Sequence, residues 1–586
     1  MFDVNFIKKM KKYLSLVIFV MFSCSEKNDI NFDFTTKFEK SNGIETATYQ
    51  ETINYYKALE KTFKSIKVDS FGTTDSGFPL HLVTLNPDAE FNFRTIAKDK
   101  RIILINNGIH PGESDGIDAT MMLFRDLANG TIKMPKNVVL TTIPIYNIGG
   151  SLNRNNTTRT NQNGPLEYGF RGNARNYDLN RDFIKSDTKN AKTFAEIFHT
   201  VNPDVFIDNH VSNGADYQYT LTHLFTQHNK LGGELGIYLN DQLMPKLEQS
   251  LNNKDWIITP YVNVFNRTPE SGFSQFFDSP RYSTGYTTLF NCLGMMVETH
   301  MLKPYQQRVE GAYELMASML QIVDNDSEVI KDLRNKQAIS YNAGDFYPLN
   351  WELDTTKSSI LNFKGFEAEN ITSTVTGLPR LKYNSSKPFE KEVVYKNYFK
   401  PSDSVAIPKA YVIPQGWHDV IELLEINHVE LNRFKTDTII EVESYRITDY
   451  KTRTSAYEGH YSHYNTKVEV FNKQINFRKG DYYIETKQNA VRYLLETLEP
   501  KAVDSFFNWN FFDTILQQKE GFSPYVWEDK IIELFAQNPR LQIAFNMKKS
   551  LEPDFAKNWY AQLDWLHKQS DFYEKAHMQY PVYRIN

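Results

Sequence analysis

From residue 101 onward, short apolar runs alternate with stretches whose apolar residues recur at helical spacing, which predicts strands joined by crossover helices. Residues 101–107 (RIILINN) read as a buried strand and 115–127 as a helix, with Ile117, Met121, Met122, Phe124 and Leu127 on its apolar stripe. Strands are predicted at 137–146, 204–208 and 294–299, with a helix at 189–200 before the second of them. Between 151 and 181 the pattern lapses into Asn and Gly with five arginines, Arg154, Arg159, Arg171, Arg175 and Arg181. A loop of that length inside an α/β domain points to function. Near Asp345 the rhythm changes. Runs rich in Val, Ile, Thr and Tyr over 351–488, such as 436–442 and 466–471, predict antiparallel strands. Val491, Leu494, Leu495 and Leu498 then open a helical end. The expected architecture is α/β: a mixed, largely parallel sheet flanked by helices, followed by a β-rich region and a helical carboxyl-terminal segment.

At 586 residues the chain is long enough for several domains. The divisions expected are an export signal over 1–24, a linker over 25–48, a catalytic domain over 49–340, a β-rich accessory domain over 345–488 and a helical segment over 489–586. With 66 Lys plus Arg against 71 Asp plus Glu, the net charge is −5, and nucleic acid is not expected as a partner. Two cysteines exclude a disulfide framework and a Cys-rich zinc module, so any metal must be held by His and carboxylate.

The amino terminus reads as an address. Lys8, Lys9, Lys11 and Lys12 precede an apolar stretch over 13–22, too short to span a bilayer about 30 Å thick. Ser23 and Cys24 then meet a polar run, which resembles the lipobox of bacterial lipoproteins and implies lipidation at Cys24. The expected location is outside the cytoplasm, as a lipoprotein of the periplasm or outer membrane, or else secreted.

His110 and Glu113 stand in Ile109-His110-Pro111-Gly112-Glu113, directly after the first predicted strand, and His210 follows the strand at 204–208. In an open α/β sheet, ligands gather beyond the carboxyl ends of strands. Two His and one Glu there, with a vacant fourth position, make a catalytic zinc set. Glu298, after Met295-Met296-Val297, is placed to serve as general base and acid.

The order His-Pro-Gly-Glu, then Asp178-Leu179-Asn180-Arg181-Asp182-Phe183, then His210 and Glu298, resembles the zinc carboxypeptidases, the M14 peptidases, over about 49–320. The resemblance implies one zinc ion on His110, Glu113 and His210, and Glu298 acting on the attacking water. It implies Asn180 and Arg181 at the substrate carboxylate, and Asp178 as the acceptor that orients a zinc-ligand imidazole. A carbonyl-polarising arginine is assigned to Arg171, ahead of Arg175 and Arg159. A substrate-covering tyrosine is assigned to Tyr286, with Arg281 as a further carboxylate contact. Cys292 reads as a buried small hydrophobe.

A metallocarboxypeptidase acting on peptides or proteins is the leading reading, with no particular protein partner indicated. A zinc deacylase or amidase, acting on N-acyl amino acids or cell-wall peptides, would use the same metal and base. A catalytically silent surface binding lipoprotein would have no need of Glu298. No Gly-rich phosphate loop, serine-nucleophile elbow or His-Glu-x-x-His helix occurs.

Overall fold

The chain is described here by a computed structural model covering residues 32–586. Cys24, the export signal and the first part of the linker lie outside the described residues. The strands of the first half are β1 (Ile66–Phe71), β2 (Leu80–Leu85), β3 (Arg101–Asn106), β4 (Val138–Ile143), β5 (Val205–Ser212), β6 (Leu221–Phe225), β7 (Ile258–Pro260), β8 (Phe273–Ser274) and β9 (Leu293–His300). All but β8 join one sheet in the order β1-β2-β4-β3-β5-β9-β6-β7. The neighbours β4, β3, β5 and β9 run parallel, whereas β2 on one side and β6 on the other run antiparallel to them. The sheet is therefore mixed, with a parallel centre.

Residues of β3, β4 and β5 are buried at every position, and the apolar runs 102–105, 138–140 and 205–207 suit a parallel sheet covered on both faces. The helix Asp115–Ala128 crosses one face at contact distance. A Cβ on its Gly116 would stand 2.3 Å from the Asn209 Cβ of β5, so only glycine permits this approach. The helix Tyr305–Asn325 lies beside it, held by a buried ion pair in which Arg308 Nε meets Asp115 Oδ2 at 3.1 Å. The short helix Ser283–Thr288 packs on β5 and β9.

Past residue 340 the strands are β10 (Phe346–Leu353), β11 (Ser359–Thr372), β12 (Pro379–Lys396), β13 (Phe399–Ala406), β14 (Ala410–Ile413), β15 (Asn432–Arg433), β16 (Thr438–Thr452), β17 (His463–Phe477), β18 (Tyr482–Glu485) and β19 (Tyr583–Ile585). The hairpin β11-β12 takes β8 as a parallel third strand, and Phe273, Phe363 and Tyr395 share a core with Tyr217 and Tyr219. A six-stranded sheet runs β15-β18-β14-β19-β16-β17.

Two elements depart from expectation. Part of the expected linker is packed: Phe38 is buried edge-on against Tyr305, and Glu39 takes two hydrogen bonds from Arg125 Nη1. The helical end (Val491–Leu498, then Pro524–Lys568 in four helices) finishes in a strand, β19, which inserts between β14 and β16. Three residues carry too short a pattern to announce that strand; its partners already in place supply the hydrogen bonds. Among the described residues no helix is long and apolar enough to cross a membrane.

Candidate active site

Successive side chains of a strand point to opposite faces. In β5, Asn209 turns toward the helix Asp115–Ala128, where its amide donates to Asn107 Oδ1 at 2.7 Å. Asp208 and His210 therefore share the other face, where Ser283 Oγ donates to Asp208 Oδ2 at 2.5 Å. In the parallel register His210 lies opposite Glu298 of β9, so both side chains stand on that same face. Glu298 is the sole residue of β9 that is not fully buried.

The loop after β3 brings His110 and Glu113 to this point; Glu113 N–H donates to the His110 carbonyl at 2.8 Å, closing the Pro-Gly turn. His110 Nδ1 lies 3.2 Å from Glu113 Oε1, and His210 Nδ1 lies 3.1 Å from Glu113 Oε2. All three residues are buried, and their potential ligand atoms fall within 4.8 Å of one another. Tetrahedral zinc separates neighbouring ligand atoms by about 3.3 Å, so a small contraction completes the set. His110 Nδ1 is buried with no hydrogen-bond partner, while its Nε2 is engaged by Asp178 Oδ1 at 2.9 Å. In His210 it is Nδ1 that meets a carboxylate within hydrogen-bonding geometry, Glu113 Oε2 at 3.1 Å, while Nε2 lies 3.0 Å from Asp208 Oδ2 without hydrogen-bonding geometry. Each imidazole thus has a carboxylate behind it and Nδ1 turned toward the common point, the arrangement of a metal-ligating histidine. The donor set fits one zinc ion.

The charges here are stabilised by one another. Burial opposes ionisation of Glu113, but Arg159, whose Nη1 donates to Oε1 at 2.6 Å, together with His110 holds its carboxyl well below the usual range. Asp178 is likewise held low against its burial by His110, Arg171 and Arg181. Glu298 goes the other way. Burial pushes its carboxyl up to about 8, His210 pulling it back and Glu113 and Asp208 adding to the rise.

Arg171 donates to Asp178 Oδ2 from Nε at 3.0 Å and from Nη2 at 2.8 Å, and its Nη1 reaches 3.7 Å from Glu113. Its side chain is 44 % exposed, leaving one edge of the guanidinium available to a ligand. Arg181, on the single turn Leu179–Arg181, sits 3.9 Å from Asp178 and 4.5 Å above the ring of Tyr282. Asn180 is buried, and its Oδ1 accepts from Ser283 N at 3.3 Å.

Three assignments need correction. Tyr286 is buried among Phe183, Phe194, Phe198 and Phe290, and its hydroxyl donates to Asn427 at 2.6 Å, so it is core and not cleft. The tyrosine beside Arg181 is Tyr282, four residues earlier; one helical turn separates them, and only packing tells which is covered. Arg175 stands over Tyr177 at 5.0 Å and 4.0 Å from Asp75, away from the histidines. Arg281 is committed to Asp504, with Nη2 2.7 Å from Oδ1.

Sequence reasoning passed over Asp208 and gave Arg159 only third place. The signal for Asp208 was available: Asp-x-His within a strand places both side chains on one face. Cys292 is buried, and burial pushes its thiol up to about 12, which leaves it inert.

The arrangement is that of a metal-dependent hydrolase: a His/Glu/His set, a neighbouring carboxylate that can take a proton, and arginines at the rim. The comparisons with known proteins point the same way. Residues 52–206 match the model of the family described as zinc carboxypeptidase (Peptidase_M14), a span that includes His110, Glu113, Arg171 and Arg181 and ends before His210. Carboxypeptidase 2 of Trichophyton rubrum is 23% identical over 431 residues, 69% of this chain and 72% of the relative. Probable carboxypeptidase 2 of Arthroderma benhamiae is 22% identical over 429 residues, 69% and 74% of the two chains. Among solved structures, a metallo-carboxypeptidase from Burkholderia cenocepacia aligns with a TM-score of 0.36 at 17% identity, over 48% of this chain and 70% of that one. Carboxypeptidase A from Helicoverpa armigera aligns with a TM-score of 0.38 at 13% identity, over 55% and 86%. Residues 52–206 thus carry a match to the zinc carboxypeptidase domain, and with the His/Glu/His set they support a zinc-dependent metallocarboxypeptidase, a hydrolase of one zinc ion.

Proposed function

We propose that this protein is an exported, lipid-anchored enzyme that releases single residues from the carboxyl termini of peptides. The observation that carries the reading is the convergence of His110 Nδ1, Glu113 and His210 Nδ1 beside Glu298 on one face of the sheet. His110, Glu113 and His210 hold the zinc, which when bound supplies Lewis acidity for a carbonyl and for water. Glu298 takes the proton of the attacking water and passes it to the leaving amine. In the metal-free chain its burial favours the protonated form. The exposed edge of Arg171 donates to the scissile carbonyl oxygen as negative charge develops there. Arg181, with Asn180 beneath and Tyr282 against its flat face, takes the terminal carboxylate. Asp178 holds the His110 imidazole in the tautomer that leaves Nδ1 free, and Asp208 stands 3.0 Å behind His210 Nε2. Export and lipidation rest on the amino-terminal text ending at Cys24.

The test is zinc quantification on the envelope-extracted protein together with digestion of a mixed peptide library read by mass. One zinc per chain and loss of single terminal residues are expected. Amidating the terminal carboxylate is expected to lower kcat/KM by about 10- to 100-fold, the worth of a hydrogen bond to a charged group. Equal cleavage of acid and amide would reject exopeptidase action in favour of the amidase reading. Lipid labelling that persists in Cys24→Ser would reject the anchor.

A further inference from the structure

The hairpin β16-β17 closes far from the catalytic motifs in sequence, yet its turn lies against them. Tyr457 and His460 pair across the tip, with Glu458 at φ 48° and Gly459 at φ 81° between them. Glycine is required at the second position on two counts. The backbone is left-handed, and a Cβ there would stand 2.6 Å from the Tyr177 hydroxyl. Glu458 also adopts a left-handed backbone, which a side chain resists, so the turn is held by what it grips.

It grips both ends of the segment 177–187. At one end Glu458 Oε2 accepts the backbone N–H of Asp178 at 2.8 Å. At the other, His460 Nε2 meets Asp187 Oδ2 at 2.7 Å. Between these points lie Asn180 and Arg181. Asp178 is the residue on which His110 and Arg171 both depend, through Oδ1 and Oδ2 respectively. An N–H without its acceptor at this half-buried position would let the Asp178 backbone rotate, moving both oxygens at once.

We infer that the turn 457–460 is a built-in clamp of the active centre, and that Glu458 is a positioning residue that sets the His110–Asp178–Arg171 chain. The accessory region thereby becomes part of the catalytic unit. This rests on the metallopeptidase reading of the cluster.

The test uses the full chain with three substitutions, Glu458→Ala, Glu458→Asp and Glu458→Gln. Zinc affinity is measured by competition with a chelator, and kcat and KM at saturating zinc. Glu458→Ala is expected to weaken zinc about 10-fold, the usual effect of losing a partner behind a ligand, and to lower kcat with a cooperative unfolding transition retained. Glu458→Asp keeps the charge but cannot reach the N–H and is expected to show the same loss. Glu458→Gln keeps an acceptor and is expected to recover most of it. Wild-type zinc affinity and kinetics in a folded Glu458→Ala, or a Gln variant as impaired as Ala, would overturn the clamp alone. A wild-type chain that neither binds zinc nor cleaves peptides would overturn the functional reading and the clamp with it.

Discussion

Strands β3 and β5 carry buried charge at both of their ends, and the two ends are built to opposite purposes. At the amino ends, Asp204 Oδ1 meets Arg101 Nη1 at 3.3 Å and Arg334 Nη1 at 2.5 Å, while Oδ2 accepts the Ile102 N–H at 2.8 Å. Both guanidiniums face the Asp204 carboxylate, although Arg101 Nε is itself buried without a hydrogen-bond partner. At the carboxyl ends, His110 Nδ1 is left without a hydrogen-bond partner, and Glu298 stands beside other carboxylates. A closed cluster of this kind holds strands together. An open one is poised for a ligand and costs stability.

The sharpest way to separate the two ends is Glu298→Gln, which is expected to retain one zinc and lose about 10²- to 10⁴-fold in kcat, the range of general acid–base catalysis. Wild-type turnover would place the proton transfer elsewhere. The same variant tests the electrostatics through the metal-free protein. The folded-state pKa of Glu298 is raised, so its contribution to stability is full below the unfolded value of about 4.5 and is lost as pH rises through about 8. Melting temperatures of wild type and variant, without metal, are therefore expected to diverge in favour of Gln between pH 5 and 8.5; parallel curves would show that Glu298 is not desolvated.

At the closed end the effects should reverse. Asp204→Asn leaves Arg101 and Arg334 uncompensated and is expected to cost about 3 kcal/mol in denaturant unfolding, the low end for a broken buried pair because Arg334 reaches solvent. Its kcat and KM are expected within about twofold of wild type, since general catalysis involves none of these groups. A large kinetic defect with little loss of stability would mean that the two ends are coupled along the strands.

A residue's place is legible in the sequence where it follows from its strand. His110, Glu113, His210 and Glu298 all come just after or at the end of an apolar run, and parallel register brings such ends together. Asp208 was legible by the same alternation and was passed over. Inside the loop 151–181 no periodicity orders the arginines, so spacing could rank Arg171, Arg175 and Arg159 but not seat them. Only the folded loop sets Arg159 on Glu113, Arg171 on Asp178 and Arg175 over Tyr177.

The amino-acid sequence by itself determined the alternating strands and helices, the residue types of the zinc set and their placement at strand ends. Each of these follows from local period and short-range spacing. Tertiary structure alone decided which of Tyr282 and Tyr286 meets Arg181, that Arg281 belongs to Asp504, and that β19 enters a sheet begun far earlier in the chain. It also decided that Glu458 reaches the Asp178 backbone. These contacts join residues more than a hundred positions apart, or choose between neighbours one helical turn apart, and neither is encoded in any local pattern; they are settled by which surfaces are left to pack once the sheets have formed.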